Sequence, residues 1–188
     1  MKIKKCRSCG SYNLKQVFDL GVQKLTGIFP KTLNEKIPNG SLAMVSCGNC
    51  KLLQLKNSFD PIKMYGENYG YMSSLNLSMV NHLKKKAFKI KNTLDLQAND
   101  VVVDIGSNDG TFLSFFSKKL KLIGIDPTIK KLSKFYRKDI FKSANFFSAH
   151  NLNKITSKKV KVVTSISMFY DLEDPLKFAQ EIYLFYKI

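Results

Sequence analysis

A chain of 188 residues with 44% apolar content is long enough for one ordinary domain or two small ones with a folded core, which excludes a disordered protein. It has no apolar stretch of about 18 residues, and its N-terminus, MKIKKC, carries charge without an apolar run, so a soluble, cytoplasmic protein without membrane partners is expected. The formal charge of +17 invites a nucleic-acid reading, but the only arginines are Arg7 and Arg137 and the lysines are scattered from Lys2 to Lys187, so nucleic acid is not the expected partner.

The first landmarks are Cys6-Arg7-Ser8-Cys9-Gly10 and Cys47-Gly48-Asn49-Cys50, which use all four cysteines of the chain. Two residues between thiolates let one tight turn present both sulfurs to a tetrahedral metal, and the glycines can take the positive φ that aims backbone N–H groups at sulfur. Disulfides, a redox pair and an iron–sulfur cluster are the competing readings. A reducing compartment disfavours disulfides, and Zn2+ is the default metal for Cys6, Cys9, Cys47 and Cys50. With every coordination position filled by sulfur, the ion is expected to hold the fold and take no part in chemistry.

Residues 1–58 read as a small, β-rich zinc-binding module of short strands and loops, punctuated by Gly21, Gly27, Pro30, Pro38 and the Asn39-Gly40 turn. Residues 59–99 read as a connection: a tyrosine-rich segment, MYGENYGYMSS, then a helix from about Leu75 to Leu94. An imperfect apolar stripe of Leu75, Met79, Leu83, Phe88 and Ile90 runs along it opposite lysines.

Residues 100–188 alternate strand and helix, with strands expected at 100–105, 121–125, 144–148 and 160–166 and helices at 110–119, 128–138 and 174–187. Such alternation argues for a parallel sheet with right-handed crossovers, so the fold class is α/β. In VVVDIGSNDGT (Val101 to Thr111) a buried valine strand meets an acidic residue and a Gly-x-x-x-Gly turn, the start of a nucleotide-type strand–turn–helix. Asn108 stands where a dinucleotide fingerprint needs its middle glycine, and no Gly-Lys-Ser/Thr follows. A second strand delivers Asp126 twenty residues past Gly106, where a carboxylate can accept from both ribose hydroxyls.

The Asp-x-Gly-x-x-x-Gly pattern resembles that of class I methyltransferases, which bind the cationic donor S-adenosyl-L-methionine (SAM) through backbone and carboxylates. In chain order, CRSCG, DLG at Asp19 to Gly21, CGNCKLLQL, YGYMSS, DIGSNDGTFL, GIDP and FYDLEDP resemble the sugar C-methyltransferases of deoxysugar biosynthesis, which carry an N-terminal zinc-binding domain. The resemblance runs from end to end, and its specificity lies in the order of the motifs. It implies a zinc module followed by a partial Rossmann-like sheet. It also implies a nucleotide-linked 4-keto sugar as substrate, methylated on the carbon next to the ketone after a general base removes its proton.

On that resemblance Gly106, Ser107, Asn108, Asp109 and Gly110 line the methionine part of the donor, with Asp104 behind the turn. Asp126 takes the ribose, and Pro127 fixes the chain beyond it. Phe147 and Ser148, at the end of the third strand, are candidates for the adenine ring, and Met168, Phe169 and Tyr170 lie at the carboxyl edge of the sheet. Tyr69, Tyr71, Ser73 and Ser74 resemble the segment that folds over the donor, and Tyr71 is the one candidate for touching substrate. Neither His82 nor His150 has a partner that makes it a base.

The family's base lies in a later C-terminal domain, so the chain is expected to be incomplete, to bind SAM weakly at best and not to turn over. A partner chain supplying the missing C-terminal half would complete it. A non-catalytic scaffold that kept the zinc module and donor pocket, and a zinc-ribbon nucleic-acid binder, are the alternatives.

Overall fold

The computed structural model describes residues 1–25, 27, 28, 30–66 and 69–186. Glu67 and Asn68 of the tyrosine-rich segment, and Lys187 at the end of the last expected helix, lie outside these residues. No described helix is long and apolar enough to cross a membrane. The chain forms two compact units: residues 1–70 with 172–177, and residues 71–171 with 178–188.

The first unit is a three-stranded antiparallel sheet in the order β1-β2-β3, from β1 (Leu14–Lys24), β2 (Asn39–Cys47) and β3 (Leu53–Leu55). Leu14 pairs with Cys47 and Lys24 with Asn39, and the register slips twice, between Gln16 and Phe18 and between Asp19 and Val22. The second slip contains Gly21 at φ 71°, whose N–H donates to the Asp19 carboxylate at 2.8 Å. A one-turn helix α1 (Pro61–Tyr65) follows, with Asp60 as its cap and proline at its start.

The second unit opens with a 3-10 turn at Ser73–Leu75 and α2 (Leu77–Thr93), capped by Asn76, whose Oδ1 accepts from the N–H groups of Ser78 and Met79. Four parallel strands follow in the order β6-β5-β4-β7: β4 (Val101–Ile105), β5 (Lys121–Ile125), β6 (Phe141–Ser143) and β7 (Val160–Ser165). The chain runs outward from β4 through β5 to β6 and then returns to the other side of β4 as β7. Ligands of open α/β sheets bind at such a reversal, beyond the carboxyl ends of the two strands that flank it. Leu83 and Ala87 of α2 pack with Val102, Leu122, Val162, Phe112, Leu113 and Phe116 in one buried cluster.

Three sequence expectations need correction. The third strand is Phe141–Ser143 and not 144–148; Phe141 takes register with Ile123 of β5, and Phe146 and Phe147 lie beyond the strand. Helix α5 (Ala149–Ile155) was not foreseen, because His150, Asn151 and Asn153 are poor helix formers; the Ser148 cap starts it. The long helices expected after β4 and β5 are short, α3 (Thr111–Ser114) and α4 (Ile129–Leu132), each running on into turns. The last helix, α6 (Pro175–Tyr186), falls where alternation places it.

Candidate functional site

The first candidate site is built by two knuckles that repeat one backbone design. In the first, Cys6 N–H donates to Ser11 O and Gly10 N–H to Cys6 O; in the second, Cys47 N–H donates to Leu52 O and Lys51 N–H to Cys47 O, all at 2.8–3.0 Å. The left-handed residue that closes each turn is Gly10 at φ 70° and Lys51 at φ 66°. Gly48 is not that residue, so the expectation that glycine serves both turns holds for the first alone. At Lys51 a non-glycine residue takes this left-handed conformation, and its ammonium donates to Gly48 O at 2.7 Å.

The sulfurs of Cys6, Cys9, Cys47 and Cys50 all lie within 4.8 Å of one another, with Cys6–Cys50 at 3.5 Å and Cys9–Cys47 at 3.6 Å. A tetrahedron of sulfurs about 2.3 Å from zinc has edges of roughly 3.8 Å, whereas a disulfide needs about 2.05 Å, so the spacing fits a metal and excludes bridges. Burial alone would push the Cys6 thiol up, but the backbone N–H groups of Cys9 and Ser8 and the Gln54 amide outweigh it and bring it down to about 6. The Cys50 thiol goes the other way, to about 11: the Leu52 backbone lowers it, but burial and the sulfurs of Cys6, Cys9 and Cys47 raise it further. Four thiolates in so small a space need a cation, and the donor set is one that zinc prefers.

The second candidate site lies at the carboxyl end of β4. Asp104 is buried inside the sheet, and its Oδ1 accepts from Thr164 Oγ1 of β7 at 2.7 Å. Burial pushes its carboxyl up to about 7, with the Thr164 bond opposing and the charge of Asp126 adding to the rise. Beyond β4 the turn folds back on β5, where the N–H groups of Gly106 and Ser107 both reach Ile125 O, at 2.8 and 3.4 Å.

At the centre of that turn, Asn108 holds φ 50° and donates its backbone N–H to Asp126 Oδ2 at 2.9 Å. The other oxygen of Asp126 accepts from Thr128, from its backbone N–H at 2.7 Å and its hydroxyl at 2.6 Å. Asp126 is therefore buried and fixed from two sides at the end of β5. Asp109 accepts from Thr111 N–H and Oγ1 through Oδ1, and from Ser74 N–H through Oδ2 at 2.8 Å. The Asn108 side chain clasps the same segment, accepting from Ser73 N–H at 2.9 Å and donating to Tyr71 O at 3.1 Å. Tyr71, Ser73 and Ser74 are thus brought onto the turn through their backbone, and Tyr71 keeps 38% of its surface exposed.

Met168, past β7, leans over Gly106: a Cβ at that position would meet Met168 Cγ at 3.0 Å. Pro127 follows Asp126 and precedes α4. Phe147 and Ser148 are placed differently from expectation. Phe147 stacks edge-on against Phe178, as Phe169 does, at 5.3 and 5.8 Å between ring centroids, and Ser148 accepts from Asn151 N–H as the cap of α5. Tyr170, His82 and His150 are exposed.

Three residues of this site were not singled out from sequence: Thr164, Thr128 and Tyr136. Tyr136 OH donates to Asn108 O at 2.8 Å, leaving the Ser107 hydroxyl as donor to the phenol oxygen at 2.8 Å. Its ring lies where a Cβ on Gly110, at φ 77°, would come within 2.7 Å. A hydroxyl-bearing aromatic at an otherwise apolar position after GIDP was the available signal.

Residues 6–65 match the family model described as a zinc binding domain, Methyltransf_13. The C-methyltransferase NovU of Streptomyces niveus is 29% identical over 131 residues, which is 66% of this chain and 30% of NovU. The chain thus spans less than a third of the length of the curated relative it matches. The matched domain and the cysteine cluster support zinc. The two matches make this chain similar to a methyltransferase-type zinc binding domain and to a C-methyltransferase.

Proposed function

We propose that the second unit binds SAM and that the protein belongs to a SAM-dependent methyl transfer reaction on a carbon next to the ketone of a nucleotide-linked 4-keto-deoxysugar. The observation that carries this reading is the turn Gly106 to Gly110, walled by the buried carboxylates of Asp104, Asp109 and Asp126 at the reversal point of a parallel sheet. Carboxylates with fixed positions suit a ligand whose ammonium and sulfonium are cationic and whose ribose offers two donors. The bound donor would supply the methyl group. Asp126 would accept from the ribose with the lone pair that Asn108 leaves on Oδ2, and Asn108 and Asp109 would hold the Tyr71 to Ser74 segment across the turn.

The resemblance and the relative's printed activity point to carbon as the methylated atom, and a positive field of formal charge +17 suits a diphosphate-bearing substrate. We assign no residue of this chain as the general base. The zinc would be structural, since four sulfurs fill its tetrahedron.

Isothermal titration of the chain with SAM tests the reading. Saturable binding is expected, and Asp126→Ala should weaken it by about 10-fold to 100-fold, the worth of a charge-assisted hydrogen bond, with zinc content unchanged. Absence of any donor binding by folded, zinc-loaded protein would overturn it.

A further inference from the structure

Gln54 occupies the middle of β3, 7% exposed, and a carboxamide so buried is costly unless both of its ends are bonded. Both are. Nε2 donates to Cys6 Sγ at 3.3 Å, and Oε1 accepts the backbone N–H of Arg7 at 3.0 Å. The orientation of the amide follows from these partners: turned over, its carbonyl would face a thiolate and its NH2 would face an N–H.

Arg7 is itself held, with only 12% of its side chain exposed. Nη1 donates to Leu55 O at 2.7 Å and approaches Gln54 Oε1 at 3.5 Å, while Nη2 donates to Ser58 Oγ at 3.2 Å. Nε and Nη2 both reach Glu173 Oε2, at 3.2 and 3.0 Å, and Ser58 Oγ donates to Glu173 Oε1 at 2.7 Å. A continuous chain of bonds therefore leads from a carboxylate through a guanidinium and a carboxamide to one metal-ligating sulfur.

We propose that Gln54 is an outer-sphere partner of the metal centre, oriented by Arg7 and its anchor Glu173, and that this network sets how tightly the ion is held. Four thiolates around a divalent ion leave a net charge of about −2, and an N–H aimed at sulfur disperses part of it. The inference rests on the metal site and is independent of the donor site. A plainer role, in which Gln54 only fills space between β3 and the first knuckle, makes a different prediction, because methionine would fill that space as well.

The test uses the zinc-loaded 188-residue chain and its Gln54→Met, Gln54→Glu and Glu173→Gln variants. Zinc affinity is read by competition with a chromophoric chelator, and the sulfur environment by the thiolate-to-cobalt charge-transfer bands after cobalt substitution. Gln54→Met is expected to weaken zinc binding by about 10-fold to 100-fold and to move the bands to lower energy, since an unbonded thiolate is a better electron donor. Gln54→Glu should cost more, by facing the sulfur with a second negative charge, and Glu173→Gln less. Wild-type affinity and wild-type bands in both Gln54 variants would overturn the proposal. Loss of the fold by both in excess zinc would also overturn it, assigning Gln54 to packing.

Discussion

The two units hold the turns of their candidate sites in place by opposite means. Among the described residues of 1–70, the buried apolar side chains are Cys6, Ala43, Val45 and Cys47, so half of that small set belong to the sulfur cluster. In β1 the side chains of Val17, Phe18, Leu20 and Val22 are all exposed. In the second unit every residue of β4 is buried, and its turn rests on a cluster drawn from α2, α3, β5 and β7. One turn is built around a cluster of four sulfurs; the other is shaped by apolar packing. A short strand set with a thin core needs a cross-link, whereas a sheet covered by helices can impose strained backbone at Asn108 without one.

The sharpest way to break this contrast is to remove the metal. Structural zinc contributes on the order of 10–16 kcal/mol to small modules, far more than the first unit's core can replace. Chelation, or Cys47→Ser, should abolish hydrogen-exchange protection across β1 to β3 while leaving β4 and β5 protected. Loss of protection in both units together would show that the second also depends on the ion. The converse change is Leu113→Ala, which empties a fully buried position in the second unit. It should cost about 3 kcal/mol in that unit's unfolding and leave zinc content unchanged.

Acid separates the units by sign. The Asp104 carboxyl titrates near 3.8 when unfolded and is pushed up to about 7 when buried, so the folded state holds this proton more tightly. Its stabilisation is fully present below about pH 4, fades as pH rises towards 7 and changes no further above that. The first unit runs the other way, because protons compete with the metal for thiolate. Between pH 5 and pH 8 the second unit should lose on the order of 2 kcal/mol, measured by exchange of the β4 amides, and Asp104→Asn should flatten that slope. An unchanged slope in the variant would place the titration elsewhere.

The difference between the units also explains what could be seen in the sequence. The ligands of the first site are fixed by spacing, so Cys6, Cys9, Cys47 and Cys50 were legible together. In the second unit β4, β5 and β7 were legible because buried parallel strands are continuous apolar runs. β6 was misplaced by a few residues because Phe146 and Phe147 imitate such a run, yet their rings lie past the strand. Gln54, Thr164 and Tyr136 stayed hidden for one reason: each serves its site through a partner distant in sequence, and no local pattern marks that.

Tyr136 offers the finest test of how packing shapes the second turn. Burial, and then the charges of Asp126, Asp104 and Asp109, push its phenol well above the ordinary range, so it is a neutral donor at any working pH. Its hydroxyl ties Ser107 to the carbonyl of Asn108, and its ring supports Gly110 and Gly124. Tyr136→Phe keeps the ring and deletes the tie, leaving a buried hydroxyl and a carbonyl short of one partner each. The expected cost is about 1–2 kcal/mol of stability in the second unit, with a several-fold weaker SAM titration and unaltered zinc content. If stability falls while donor affinity stays at the wild-type value, the turn is held in its binding geometry by the ring and the glycines, and the hydroxyl contributes only to the core.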